Sequence, residues 1–128
     1  MRLFRRYKYA DIYPDIPRST CIHHQGIGTI IGKGVVIGED CDIYHCVTIG
    51  EQYGTKKGVP VIGSNCRIYP FVMIIGGIKI GNNVTIGSFT KVDRDIPSNS
   101  LVLGVPCKVM SLSDNPDWYR NYLKVLHE

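Results

Sequence analysis

The sequence predicts an all-β fold in which the chain winds as a parallel coil of stacked six-residue units. Three observations carry that prediction. Ten apolar residues stand in two strict six-residue series: Ile31, Ile37, Ile43 and Ile49, then Ile62, Ile68, Ile74, Ile80, Ile86 and Val92. Glycine directly follows six of them, at Gly32, Gly38, Gly50, Gly63, Gly81 and Gly87. Two places before the repeat residue another small or apolar side chain recurs, as at Val35, Val47, Val72 and Val84. Short fixed periods mark solenoids, in which one unit stacks on itself.

Each unit reads as a short strand and a corner. The repeat residue and the residue two before it share one strand face. The segments Gly32-Lys33-Gly34, Gly38-Glu39-Asp40 and Gly81-Asn82-Asn83 supply turn chemistry that tolerates positive φ. Three units close a triangular turn of about eighteen residues, and turns stack by parallel pairing. The prediction is therefore Ile31 over Ile49 and Ile62 over Ile80, with one apolar column on each side of a prism. Burying each such side chain contributes about 1.5–3 kcal/mol.

Along the chain, residues 1–14 read as a basic arm, with Arg2, Arg5, Arg6 and Lys8 in the first eight positions. This is a solvated or subunit-contacting segment, without the apolar run that follows the basic residues of a signal peptide. Residues 15–110 form the coil. The stretch His23-His24-Gln25-Gly26-Ile27-Gly28 interrupts it early. The two series are out of phase by one residue, and between them residues 51–60 read as a loop thrown out from the coil. Asn115 as N-cap and Pro116 at the first helical position open a helix over 115–127. Trp118, Tyr122 and Leu126 share one face of it, so the helix is a candidate end cap.

With 128 residues, 44% hydrophobic and 20% charged, the chain is one folded domain, 1–128. No apolar run approaches the ~20 residues of a membrane span. No basic-aromatic recognition motif accompanies the net charge of +4, so nucleic acid is not supported as a partner. With no membrane-length run and no signal-like segment, the cytoplasm is the expected location; the five cysteines form no CxxC pair and are odd in number. Cys41 and Cys66 occupy the small apolar position of the repeat.

Beside the repeat, Leu103-Gly104-Val105-Pro106-Cys107-Lys108-Val109 resembles the terminal Gly-x-Pro-Ala/Cys-Lys/Arg signature of the left-handed β-helix, or hexapeptide-repeat, acyltransferases. The match covers roughly residues 11–110. Asp11-Ile12-Tyr13-Pro14, then His-x-x-Gly, then Val47-Thr48-Ile49-Gly50 and a loop, resemble the serine acetyltransferase branch in a short form without its amino-terminal helical domain. The resemblance implies left-handed winding, a homotrimer, and acetyl-CoA as acyl donor in the groove between subunits. It implies His24 as the base that takes a proton from an acceptor hydroxyl, and Asp11 as the carboxylate that orients it, with Asp15 the alternative. His23 and His45 are expected at the acceptor. Gly76, Gly77 and Ser88 match the positions along the pantetheine, and Arg94 and Lys108 those reaching its phosphates.

The chain departs from the serine enzymes in two places. His23 stands where they carry aspartate, and Gly58-Val59 stands where their loop holds an arginine-histidine pair. The tail ending His127-Glu128 also differs from the isoleucine-ended one that docks with cysteine synthase. The leading expectation is therefore an O-acetyltransferase acting on a small-molecule acceptor, a sugar of surface polysaccharide synthesis, with serine as the alternative. A carbonic-anhydrase-like metalloenzyme on the same scaffold needs three histidines. Position 50 is Gly50, so no metal is expected. The alternative of another class is a non-catalytic assembly module.

Overall fold

The computed structural model describes residues 7–52 and 57–112. The chain runs through β1 (Asp11–Ile12), β2 (Cys21–Ile22), β3 (Ile30–Ile31), β4 (Val36–Ile37), β5 (Asp42–Ile43), β6 (Thr48–Gly50) and β7 (Val61–Ile62). It continues through β8 (Arg67–Ile68), β9 (Met73–Ile75), β10 (Lys79–Ile80), β11 (Thr85–Ile86), β12 (Lys91–Val92), β13 (Ser100–Leu103) and β14 (Lys108–Ser111). Strands this short follow from a corner every six residues.

The strands form three sheets, one per side of the prism. The first holds β1, β3, β6, β9 and β12, the second β4, β7 and β10, and the third β2, β5, β8, β11, β13 and β14. Register is as the period predicts: Ile31 pairs with Ile49, Ile49 with Ile74, and Ile62 with Ile80, all in parallel. The third sheet aligns Ile22, Ile43, Ile68, Ile86 and Val102. These columns meet on the axis, where Ile31, Ile43, Ile49, Ile68, Ile74 and Ile86 are completely buried. Cys41, Cys66 and Cys107 lie in the same core.

Asp11–Ile12, ahead of residue 15, already pairs with Ile30–Ile31 in the first sheet. At the other end β14 turns back antiparallel on β13, so the last coil's edge is paired within the chain. The expected helix over 115–127 lies outside the described residues, as do residues 1–6 and 53–56 of the arm and loop. Among the described residues no helix is long and apolar enough to cross a membrane.

The corner between the second and third sheets explains three of the Ile-Gly dipeptides, those at Gly38, Gly63 and Gly81. A Cβ on Gly63 would stand 2.6 Å from the Gly81 carbonyl oxygen and 2.4 Å from Asn82 Oδ1. Only glycine lets successive corners approach this closely. Side chains then satisfy the corner amides: Glu39 N–H donates to Ser64 Oγ at 3.0 Å, Ser64 N–H to Asn82 Oδ1 at 2.8 Å, and Asn82 N–H to Ser98 Oγ at 2.8 Å. Asp40, Asn65, Asn83 and Asn99 follow in the left-handed region, φ 55–59°, which asparagine and aspartate tolerate.

Two cysteines stack beside this corner. The hydrogen bond to Cys41, and then burial, push the Cys66 thiol up. The same hydrogen bond pulls Cys41 down to about 7, against its burial. Both sulfurs also point at carbonyl oxygens, Cys41 at Gly63 and Cys66 at Gly81, which favours keeping the protons.

Two predictions follow from the packing. Ile68→Ala should lower stability by about 2–5 kcal/mol in urea denaturation, since it opens a cavity in a filled column. In thiol titration of the native protein, the exposed Cys21 should react first, and buried Cys41, Cys66 and Cys107 only on unfolding. The fast phase should vanish in Cys21→Ser.

Candidate functional site

The site begins where the repeat is broken. Ile22 and Ile31 are nine residues apart where a regular unit has six. The surplus folds as a short 3₁₀ turn, His23–Gly26, with His24 at φ 53° and Gln25 at φ 54°. Left-handed backbone at two successive non-glycine residues is uncommon, and such strain concentrates where structure serves a site. Gly26 tucks the turn against the coil, its Cα face close to the Ala10 and Ile22 side chains.

The two adjacent histidines diverge. His24 is exposed and its ring meets His45 edge-on, centroids 5.0 Å apart at 85°. His45 sits between β5 and β6, half-buried, and its buried Nδ1 has no hydrogen-bond partner. With Ile27, these two rings line an open cleft of about 310 Å³. The edge continues upward: His45 lies edge-on to Phe71 at 5.8 Å, and Phe71 stacks on Phe89 at 5.1 Å. Both phenylalanines are exposed and left-handed, at φ 63° and 61°. An eighteen-residue separation, one turn of the coil, made Phe71 and Phe89 neighbours in principle, although sequence reasoning did not single them out.

His23 points into a second column. Its Nε2 lies 2.8 Å from Asp42 Oδ1, and its ring stacks on Tyr44 at 4.2 Å and 4°. Tyr44 in turn stacks on Tyr69 at 5.0 Å. Burial, and then the Asp42 charge, push the Tyr44 hydroxyl up. Asp42 was not expected here. It arrives because Cys21 and Asp42 are register partners in β2 and β5, which sets Asp42 one coil above the histidine turn.

Asp11 lies on β1, exposed, its amide donating to the Thr29 carbonyl oxygen at 3.0 Å. Among the described residues the histidine-carboxylate hydrogen bond is His23–Asp42, and none joins Asp11 to His24. Asp15 is exposed in the segment after β1.

The residues expected along the acyl donor fall on two edges. Gly76 and Gly77 lie between β9 and β10, and Arg94 follows β12 at the same edge one coil on. Arg94 Nη2 donates to the Cys107 carbonyl oxygen, which brings Lys108 beside it. The Lys57 carbonyl oxygen lies 2.2 Å from where a Gly77 Cβ would stand, so this glycine admits the returning loop. Ser88 lies between β11 and β12, on the edge that carries His24, His45 and the phenylalanines. A larger hollow of about 580 Å³ on the second sheet holds only Lys79 and Asp95 as ionisable groups, and no histidine lines it.

Comparison with known proteins agrees with this architecture. The family model described as bacterial transferase hexapeptide (six repeats) matches residues 60–94. Serine acetyltransferase of Synechococcus elongatus is 36% identical over 88 residues, covering 66% of this chain and 35% of that protein. Serine acetyltransferase of Staphylococcus aureus is 36% identical over 109 residues, covering 82% of this chain and 50% of that protein. The crystal structure of Neisseria gonorrhoeae serine acetyltransferase in complex with serine superposes with a TM-score of 0.65 at 33% identity, covering 78% of this chain and 39% of that one. The chain thus spans between about a third and a half of the length of these relatives. Its repeats, its register and these likenesses make it a left-handed β-helix protein of the hexapeptide-repeat, serine acetyltransferase-like family.

Proposed function

We propose that the protein is an acetyl-CoA-dependent O-acetyltransferase whose base is His24. The observation that carries this reading is the exposed His24 imidazole in an open cleft with His45, on a coil similar to serine acetyltransferases. In the proposed reaction His24 accepts the proton of the acceptor hydroxyl as its oxygen attacks the thioester carbonyl carbon. The C–S bond then breaks, and the imidazolium returns the proton to the departing thiolate. Histidine suits both transfers because its neutral and charged forms are both accessible near pH 7. Asp11 is proposed to orient the base, which requires its carboxylate to swing to His24 when acceptor binds. His45 closes the acceptor side of the cleft.

The relatives move the acceptor from the sugar expected from sequence towards serine, since the relatives named above are serine acetyltransferases. A sugar acceptor stays as the second reading on one observation: Phe71 and Phe89 present an exposed stacked pair beside His45, and aromatic faces suit sugar rings.

We further propose a homotrimer. Within one chain Gly76, Gly77, Arg94 and Lys108 lie on a different edge of the prism from His24. A donor held by those residues reaches a base only if a second copy sets its His24 edge against them. Free Arg94 donors and the Lys108 ammonium suit the donor's phosphates.

His24→Ala should lower kcat about 10²–10⁴-fold in a thiol-release assay with acetyl-CoA, the span typical of general-base loss. An unchanged rate would remove His24 from the mechanism. Turnover with serine but not with a panel of sugars would fix the acceptor, and the reverse result would restore the sugar. Sedimentation equilibrium should return three times the chain mass.

A further inference from the structure

We propose that Cys21, His23 and Asp42 form a binding site for a single zinc-type divalent cation. Three histidines are not required for such a site, because winding of the coil adds a thiol and a carboxylate to one of them. Cys21 and Asp42 are register partners on adjacent coils, and His23 lies two residues beyond Cys21, at the start of the turn that follows β2. The thiol sulfur, an imidazole nitrogen and a carboxylate oxygen all lie within 4.8 Å of one another.

The chemistry and the geometry both favour a small borderline-soft cation. Thiolate, imidazole and carboxylate are the ligand types that tetrahedral zinc takes, at about 2.0–2.3 Å, which sets the ligand atoms roughly 3.3–3.8 Å apart. Here His23 Nε2 and Asp42 Oδ1 are 2.8 Å apart, so that pair opens by a fraction of an ångström as the metal replaces the shared proton, and the wider spacings in the cluster, up to 4.8 Å, close by about an ångström. His23 cannot turn away freely, because its ring lies flat on Tyr44. That stack holds Nε2 towards the carboxylate, the orienting task that outer groups perform at metal sites.

Charge and access fit as well. Cys21 thiolate and Asp42 carboxylate supply two negative charges against the cation's two positive ones. Arg67, the register neighbour of Asp42 on the next coil, opposes them with one positive charge. The His23 and Asp42 side chains are 31% and 37% exposed and Cys21 is exposed, so the fourth coordination position faces solvent. Three protein ligands and an open fourth position match the accessible zinc arrangement rather than the closed structural one. A cation here would also pin the turn that carries His24, immediately beyond His23 in the chain. Binding itself does not depend on the acyl-transfer reading, and the test reads it without turnover.

The test is titration of metal-free full-length protein with cobalt(II), followed by displacement with zinc(II). The expected result is one equivalent of cobalt, with a near-ultraviolet thiolate-to-cobalt band that zinc abolishes. That band should disappear in Cys21→Ser, and affinity should fall by more than the ~10-fold that loss of even an outer orienting group costs in Asp42→Asn. Zinc should raise the melting temperature of the parent more than that of Asp42→Asn at the same zinc concentration, which keeps the test decisive if the cysteine variant folds poorly. Absence of the band, or binding of equal stoichiometry and affinity in both variants, would overturn the site.

Discussion

Everything in this molecule depends on one turn of the coil setting each isoleucine directly above its counterpart in the turn below. The three axial columns bury their branched side chains, with Ile31, Ile43, Ile49, Ile68, Ile74 and Ile86 wholly shut off from solvent. Because the strands are two to four residues long, pairing alone would hold little. The columns fix the register, and register then decides which outward side chains become neighbours. Cys21 and Asp42 meet, and Phe71 and Phe89 stack, because the axis has already placed their backbones.

The candidate site lies where that regularity is relaxed. Three surplus residues between Ile22 and Ile31 cannot fit in a normal corner, so they fold into a left-handed turn that exposes His24. The same surplus sends His23 and His24 to different columns, one aromatic and solvent-facing, the other paired with a carboxylate. The coil therefore supplies rigidity, and the insertion supplies an imidazole that nothing in the repeat itself would present.

Much of the fold was legible because it rests on a local period. Spacing alone paired Ile31 with Ile49 and Ile62 with Ile80, and the phase slip marked the chain's departure between Gly50 and Val61. The surroundings of the histidines were harder to read. Asp42 reaches His23 because its register partner is Cys21, twenty-one residues earlier, which is an eighteen-residue turn lengthened by the three surplus residues of the early insertion. The carboxylate expected at His24, Asp11, was chosen by likeness of motif, whereas its contacts depend on the turn's left-handed backbone. Gly77 was read as a donor-facing position, and its close approach to the Lys57 carbonyl depends on where the returning loop lands. Such three-dimensional details leave no trace in periodicity.

The three edges of the prism are not equivalent. From Ile37 to Ile43, Ile62 to Ile68, Ile80 to Ile86 and Ile96 to Val102 the interval is always six. That edge is the seam where serine and asparagine side chains bridge successive amides and glycines leave no room for a Cβ. The histidine insertion and the long loop fall on the other two edges. The seam thus behaves as a spine that rejects added length, while the remaining edges accept new segments without disturbing the winding. A family built this way can diversify its chemistry by lengthening two corners of a triangle and leaving the third untouched.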